Sequence, residues 1–324
     1  MSAVLALVEQ ESGEPAETSL ESLTLARDVA DAADAALETV VFGDEGAAVA
    51  EDVGAYGVEV VHHVTHDRLD GYAPEAWGDA VAQLASAGAT EAVLAPGSDR
   101  GQETMAHAGA SLDLPVAANC TDVDVGDEYE VERQRWGGSL VEHARLAAET
   151  TLVTVAEHEV RMEPAAEPTD PGVEGFTPNL DDDQFRVTVD RVEPSDTEGV
   201  PLGEARVVVA GGRGVGNAED FDQLEELADL LGGTVGASRA AVNEGWRPHD
   251  DQVGLTGAKI SPDLYVACGI SGAVQHMIGC KGADNILAIN TDPDAAIIQQ
   301  GEYAVIADLH EVVPALSEAI RDAE

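Results

Sequence analysis

The fold is decided by the stretch that begins Val207-Val-Val-Ala-Gly-Gly-Arg-Gly-Val-Gly216 and ends Ser271-Gly-Ala-Val-Gln-His276. Between these two blocks lie two more, Val235-Gly-Ala-Ser-Arg-Ala-Ala-Val-Asn243 and Gln252-Val-Gly-Leu-Thr-Gly257. The first, second and fourth blocks follow, or contain the end of, a short apolar run that is typical of a buried parallel strand. Because ligands bind at the carboxyl ends of the strands in an open α/β sheet, the four blocks predict a ligand site at that edge.

Strands and helices alternate on both sides of this stretch. In the C-terminal half, five apolar runs predict strands: Arg206–Ala210, Thr234–Ala237, Leu264–Cys268, Ile286–Asn290 and Tyr303–Ala307. In the N-terminal half, strands are predicted at Val4–Val8, Thr39–Phe42, Gly57–His62 and Ala92–Ala95, with helices over Glu17–Ala36 and Pro74–Ala87. This order predicts an α/β protein of two domains, each with a mostly parallel sheet flanked by helices, and the second domain Rossmann-like.

A shift in composition marks the boundary between the domains. Residues 163–184 carry four prolines among acidic residues and end in Asp181-Asp-Asp183, a composition that predicts an extended linker. We therefore expect an N-terminal domain over 1–162 and a C-terminal domain over 185–324. Alternation of apolar and polar residues from Phe185 to Val192 predicts a strand entering the second domain.

The charge of the chain is its most unusual property. There are 63 acidic and 16 basic residues, a net charge of −47, and the only lysines are Lys259 and Lys281. The acidic residues are spread along the whole chain, which favours the surface of a halophilic protein in which high salt screens self-repulsion. The alternative is a very acidic protein of a mesophile. Nucleic acids and anionic membrane surfaces are poor partners for this charge.

The three cysteines and the N-terminus indicate the compartment. Cys120, Cys268 and Cys280 have no CxxC spacing, so neither a disulfide framework nor a metal site is expected, and Cys268 is predicted to be a small core residue. The sequence starts with no basic region typical of a signal peptide, and no apolar run reaches membrane-spanning length. A cytoplasmic, reduced and soluble protein is expected.

The sequence disfavours a nicotinamide-dinucleotide site and a metal site. Gly211-Gly-Arg-Gly-Val-Gly216 invites a nicotinamide-dinucleotide interpretation, but the G-x-G-x-x-G spacing is not met and no acidic residue ends the next strand. His62, His63 and His66 cluster near a strand end, but no carboxylate or cysteine spacing completes a metal site, so a solvated strand end is the favoured interpretation.

Together, the four blocks resemble the C-terminal flavin domain of the electron transfer flavoprotein alpha subunit, also called the FixB family. Ala288-Ile-Asn290 and Ala307-Asp308-Leu309 extend the resemblance, and the close match covers roughly 206–320. The N-terminal half is similar more loosely, through Trp136-Gly-Gly-Ser139 in a β-rich extension that runs to about Val160. The resemblance implies noncovalent FAD in the second domain, no cofactor in the first, and no metal.

The resemblance also implies the residues that bind FAD. They are Arg213, Ser238, Arg239, Val253, Gly254, Leu255, Thr256, Ser271, Gly272, Ala273, Val274, Gln275, His276, Asn290, Asp308 and Leu309. Arg239 would stand over the flavin ring, Thr256 would bond its N5, and His276 would donate to its O2, while Asn290, Asp308 and Leu309 would hold the adenosine end. A fixed cation there would stabilise the negative charge of the reduced ring.

Some of these assignments have ordinary alternatives. Arg213 can be a surface arginine in a glycine turn, His276 a generic helix histidine, and Asn290 and Asp308 polar strand ends. The chain departs from the family pattern at Leu255, where glutamine is common, and at Thr256-Gly-Ala-Lys259, where Thr-Gly-Lys is usual. A side-chain contact from residue 255 would be lost, whereas a backbone contact could survive.

The function implied by the resemblance is electron transfer without substrate chemistry of its own. The chain would form a heterodimer with a beta subunit, accept electrons from flavin dehydrogenases such as acyl-CoA dehydrogenases, and pass them towards a membrane quinone oxidoreductase. Two alternatives stay open. One is a subunit of an NADH-dependent bifurcating complex with a second FAD, and the other is a nucleotide-binding module with no redox role.

Overall fold

A computed structural model of the chain describes residues 2–69, 71–126, 128–135, 140–191, 202–203 and 205–323. The chain divides into two compact units, Met1–Val192 and Glu193–Glu324. The motif Trp136-Gly-Gly-Ser139 lies outside the described residues. In the described part of the chain, no helix is both long enough and apolar enough to cross a bilayer.

The first unit is built on one large sheet. Its helices are α1 (Glu17–Ala33), α2 (Ala50–Gly54), α3 (Pro74–Ala87) and α4 (Asp99–Leu112). Its strands are β1 (Ala3–Val8), β2 (Gln10–Glu11), β3 (Glu14–Pro15), β4 (Ala36–Phe42), β5 (Val60–Val64), β6 (Thr90–Pro96), β7 (Val116–Asp124), β8 (Tyr129–Arg135), β9 (Leu140–Leu146), β10 (Thr151–Val155) and β11 (Gly172–Phe176). Over the described residues the sheet order is β11-β5-β4-β1-β6-β10-β7-β8-β9, antiparallel only where β8 pairs with β7 and β9.

The second unit has a smaller, fully parallel sheet. Its strands are β12 (Val207–Gly211), β13 (Thr234–Ser238), β14 (Gln252–Val253), β15 (Leu264–Cys268), β16 (Ile286–Asn290) and β17 (Tyr303–Ile306), and its helices are α5 (Asp222–Leu231), α6 (Arg239–Asn243), α7 (Val274–Met277), α8 (Ala296–Gln300) and α9 (Leu309–Ala323). The order is β14-β13-β12-β15-β16-β17. The sheet therefore grows outward in both directions from the neighbouring strands β12 and β15.

Both faces of this sheet are covered, which explains the continuous apolar runs of its strands. Val208 and Ala210 of β12 pack with Tyr265 of β15 on one face. On the other face, Val209 packs with Val266 and with the helices α5 and α9 through their Leu and Val side chains. The two α/β domains expected from the sequence, each with a mostly parallel sheet, are confirmed.

Residues 163–192 differ from the expectation of a linker followed by a strand. Within that segment β11 pairs in parallel with β5, so it extends the sheet of the first unit. Phe185, expected to start a strand, ends a short 3₁₀ helix at Asp182–Phe185, and residues 186–191 form no strand. Pairing with β5 satisfies backbone groups that composition alone assigns to solvent. Val192 itself lies outside the described residues.

Candidate functional site

A cavity of about 630 Å³ lies at the carboxyl ends of the strands of the second unit. Its lining comes from the residues that follow β12, β13, β14, β15 and β16, with α7 and the start of α8. From β12 the chain adds β13 and β14 on one side of the sheet, and it then crosses over to add β15, β16 and β17 on the other. Open α/β sheets bind ligands in the crevice at such a crossover point, which here lies between β12 and β15. Its volume lies within the range of small-molecule and cofactor sites.

Glycine lets the loops after β12 and β15 approach each other closely at the edge of this cavity. Gly214 donates its N–H to the Gly269 carbonyl at 3.0 Å, and Gly212 donates to the Cys268 carbonyl at 2.8 Å. A Cβ atom on Gly214 would lie 2.7 Å from the Gly269 Cα, and Gly269 itself has φ of +63°. Any larger residue would separate the two loops, and with them the backbone that carries Arg213.

The third and fourth blocks are held together in the same way. Leu255 donates its N–H to the Gln275 carbonyl at 2.7 Å. A Cβ atom on Gly279 would lie 2.2 Å from the Gly254 nitrogen, so this approach also requires glycine. The Gln252 side-chain amide donates to the Thr256 hydroxyl at 3.0 Å, and the Leu255 side chain is half exposed. The Thr256 hydroxyl is thus oriented by a side chain from β14.

Two arginines place positive charge at the cavity. Arg213 and Arg239 both line it, both are exposed, and neither forms an ion pair with any carboxylate of the described residues. Arg247 of the same unit, by contrast, is paired with both Glu225 and Asp251. In a chain of net charge −47, two cations without carboxylate partners at one cavity favour an anionic ligand.

Ser238 fixes the backbone from which Arg239 projects. Its hydroxyl accepts a hydrogen bond from the Ala241 N–H at 3.4 Å and caps the short helix α6. Ser238 is buried, with 8% of its surface exposed, whereas the following Arg239 is exposed. The serine at the end of β13 therefore serves the local structure as well as lining the cavity.

His276 is buried and neutral. Its Nε2 lies 2.7 Å from the hydroxyl of Tyr265, which is fully buried on β15. Burial lowers the pKa of His276 to about 4, a shift that a contact with the Val253 backbone only partly opposes. Its Nδ1 is buried and has no hydrogen-bond partner among the described residues. His276 therefore lines the cavity as a neutral imidazole.

Most of the predicted site residues come together at this cavity. Its lining includes Arg213, Ser238, Arg239, Val253, Gly254, Leu255, Thr256, Ser271, Ala273, Gln275, His276 and Asn290. Asn290 is held in place by its side-chain amide, which donates to the Ile270 carbonyl at 2.7 Å. That these residues contact FAD stays a prediction.

Four predicted residues do not line the cavity. Gly272, with φ of +74°, packs against Ile297, and Val274 has an exposed side chain. The Asp308 carboxylate accepts the His310 N–H at 3.0 Å at the start of α9, and Leu309 is buried in the core. For Asp308 and Leu309 the ordinary alternative, a strand end that starts a helix, describes their surroundings in this structure.

The sequence did not single out several other lining residues. They are Gly214, Ala240, Gln252, Gly269, Ile270, Asp292 and Ala295. Asp292 had a signal in the sequence, because it follows Asn290 at a strand end and its N–H donates to the Asn290 side chain at 3.0 Å. Gln252 starts the third block, but nothing in the block marks its side chain as a cavity residue, since β14 spans only two residues.

Comparison with known proteins decides the family. Residues 201–281 match the model described as "Electron transfer flavoprotein FAD-binding domain", and residues 4–179 match "Electron transfer flavoprotein domain". The electron transfer flavoprotein subunit alpha of Thermoanaerobacterium thermosaccharolyticum is 32% identical over 97% of this chain and 96% of its own length. The chain belongs to the electron transfer flavoprotein alpha-subunit family.

Other alpha subunits are similar over the same extent. That of Mycobacterium tuberculosis is 37% identical over 99% of both chains, and the protein FixB of Clostridium saccharobutylicum is 32% identical over 97% of this chain. These matches favour neither a bifurcating complex nor a non-redox nucleotide-binding module.

FAD is the cofactor of this electron transfer flavoprotein alpha subunit, as the matched domain indicates, and the cavity fits it. Arg213 and Arg239, which no carboxylate of the described part of the chain pairs, offer positive charge to an anionic cofactor. His276 adds a neutral, polar ring to the lining. Gly214 has no side chain, so its backbone stays uncovered at a position where a Cβ atom would collide with the neighbouring loop.

Proposed function

We propose that the chain works as an electron carrier without substrate chemistry of its own, paired with a beta subunit in a one-to-one heterodimer. It would accept electrons from flavin dehydrogenases, such as acyl-CoA dehydrogenases, and deliver them to a membrane quinone oxidoreductase. FAD, when bound, supplies the capacity to take up and release electrons one or two at a time. The protein supplies binding, orientation and electrostatics.

The observation that carries this proposal is the convergence of Arg213, Arg239 and a neutral His276 on one cavity. The arginines place fixed positive charge where a reduced, anionic ring would be stabilised. His276 is tied to Tyr265 and has a pKa of about 4, so it stays neutral at physiological pH and offers a hydrogen bond rather than a proton. This set of groups suits the tuning of a redox cofactor.

The beta subunit is proposed because the cavity is open at the sheet edge, with the exposed side chains of Arg213, Arg239 and Leu255 on its rim. A flavin ring there needs a second surface to exclude water. We also propose a cytoplasmic location, which the three free, buried cysteines support.

The experiment is a reconstitution of electron flow. The chain is co-expressed with its cognate beta subunit, and the FAD-loaded complex is mixed with an acyl-CoA dehydrogenase and its substrate under anaerobic conditions. We expect the flavin absorbance to bleach, and to recover when a quinone oxidoreductase and quinone are added. A complex that carries no flavin would support the nucleotide-binding module instead. Two FAD molecules per heterodimer together with reduction by NADH would support the bifurcating complex.

A further inference from the structure

Gln252 and Thr256 lie four residues apart in the chain, and their side chains are joined by a hydrogen bond at the wall of the cavity. The two residues differ in exposure. Gln252 is buried, with 4% of its surface exposed, whereas Thr256 is exposed. The amide nitrogen of Gln252 lies 3.0 Å from the hydroxyl oxygen of Thr256. A buried amide therefore contacts the hydroxyl of an exposed residue of the lining.

The backbone of the loop keeps these two side chains adjacent. The Gln252 carbonyl accepts the Ala258 N–H at 2.6 Å, and the Gly257 N–H donates to the Gly254 carbonyl at 3.0 Å. A Cβ atom on Gly257 would lie 2.1 Å from the Gln252 carbonyl oxygen, so the turn requires glycine at that position. Because the loop folds back on itself, the contact between Gln252 and Thr256 is formed by the chain alone.

The direction of this hydrogen bond decides what Thr256 can offer a ligand. An amide nitrogen donates and cannot accept, whereas a hydroxyl has one proton to donate and two lone pairs that accept. The Thr256 oxygen therefore accepts from Gln252 and keeps its own proton free of that contact. Within the described residues, the Thr256 hydroxyl forms no second side-chain hydrogen bond. Its proton is thus available to an acceptor in the cavity.

We propose that Gln252 is a positioning residue that makes Thr256 a hydrogen-bond donor towards the cavity. The inference rests on the proposed function and on the expectation, taken from the sequence, that the flavin N5 is the acceptor. If Gln252 presented its carbonyl oxygen instead, the hydroxyl would donate its proton to the protein and present only lone pairs to the cofactor. The amide of Gln252 therefore sets the polarity of the contact, and it does so through Thr256.

The test compares the binding of FAD with that of 5-deaza-FAD, an analogue in which a C–H group replaces N5 and no acceptor remains there. Calorimetry gives the affinity of each cofactor for the heterodimer from which FAD has been removed. The native protein should bind FAD about two- to tenfold more tightly than the analogue, which corresponds to one net hydrogen bond. Thr256→Val should bring the two affinities together, whereas Thr256→Ser keeps the hydroxyl and should keep most of the difference.

A double-mutant cycle separates action through Thr256 from a general effect on packing. Gln252→Leu removes the amide and leaves the hydroxyl free to rotate, so it should narrow the difference between FAD and 5-deaza-FAD. In the Thr256→Val background the same change should have no further effect on that difference. Met277→Leu, in the apolar cluster that contains Val253, is the packing control and should leave the difference unchanged. Gln252→Met also lacks the amide and replaces the leucine variant if that variant does not fold.

The results that overturn the proposal differ from those that overturn the proposed function. A difference that widens in Gln252→Leu would mean that Gln252 accepts the hydroxyl proton, and an equal narrowing in both backgrounds would mean that Gln252 acts without Thr256. An unchanged difference in Gln252→Leu, with Thr256→Val still abolishing it, would refute the role of Gln252 alone. A heterodimer that binds neither cofactor would instead refute the proposed function.

Discussion

Replacing Arg239 by alanine should lower the flavin reduction potential while leaving the fold almost unchanged. The side chain is exposed and makes no ion pair with the described residues, so its removal breaks no such contact inside the free chain. Exposed substitutions of this kind usually change stability by about 0.5 kcal/mol or less. Any large effect must therefore come from the loaded cavity.

The size of the effect follows from what the guanidinium would contact. A hydrogen bond to a charged group contributes about 1.5 to 3 kcal/mol. A one-electron potential changes by about 59 mV for each tenfold change in equilibrium constant, or about 1.4 kcal/mol. Loss of Arg239 should therefore lower the potential by about 60 to 130 mV. Arg239→Lys should retain part of the effect, since the charge survives and the planar group is lost.

Potentiometric titration of the FAD-loaded heterodimer measures this shift directly. Arg206→Ala is the matched control, because it removes the same charge from the same unit at the opposite end of β12, where Arg206 pairs with Asp263 at 2.5 Å. The control should leave the potential within about 10 mV of the native value, since exposed charges beyond a Debye length are largely screened. An unchanged potential in Arg239→Ala with FAD still bound would refute the assigned role.

Three further predictions concern salt, the partner and pH. The melting temperature should rise between 0.1 M and molar KCl, because 63 acidic residues repel one another less when screened; a flat response would contradict the halophilic interpretation. Co-expression with the beta subunit should raise flavin occupancy and give a one-to-one complex, whereas a monomer that holds full FAD with the same affinity would count against it. The unfolded chain binds a proton at His276 near pH 6.5 and the folded chain only near pH 4, so this residue should make stability fall as pH drops between those values, by about 3 kcal/mol at most. His276→Gln should flatten that part of a denaturation series, and an unaltered slope would mean that the folded protein protonates His276 normally.

Much of the secondary structure of the second unit could be predicted, because the sequence patterns that indicate it are local. Leu264–Cys268 and Ile286–Asn290 were predicted with their observed ends, since strands buried on both faces give continuous apolar runs. The Asn217 side chain accepts the Asp220 N–H at 3.0 Å just before α5, and Gly232 ends α5 in the left-handed conformation. Capping and strand burial leave a pattern within a few residues, and a sequence shows that pattern directly.

The elements that were missed depend on distant partners. Strand β11 lies in a proline-rich acidic segment, and it forms because the edge of β5 offers unpaired backbone groups. Helix α4 follows Pro96-Gly97 and begins at a serine cap, and it packs on α3. Pro96-Gly97 is a turn-forming pair that gives no sign of the helix after it, and the packing that supports the helix is tertiary.

The sequence by itself determined the family, the parallel sheet and most of the residues at the cavity, because glycines and strand ends must recur in a fixed order to build such an edge. Only the tertiary structure showed that Arg213 and Arg239 have no carboxylate partner among the described residues of so acidic a chain. It alone placed Asp308 at a helix start, outside the cavity lining. It alone joined Tyr265 to His276, eleven residues apart, and buried that histidine, which lowers its pKa to about 4 and keeps it neutral. Charge pairing, burial and protonation depend on neighbours in space, and these are set by how the strands and loops pack.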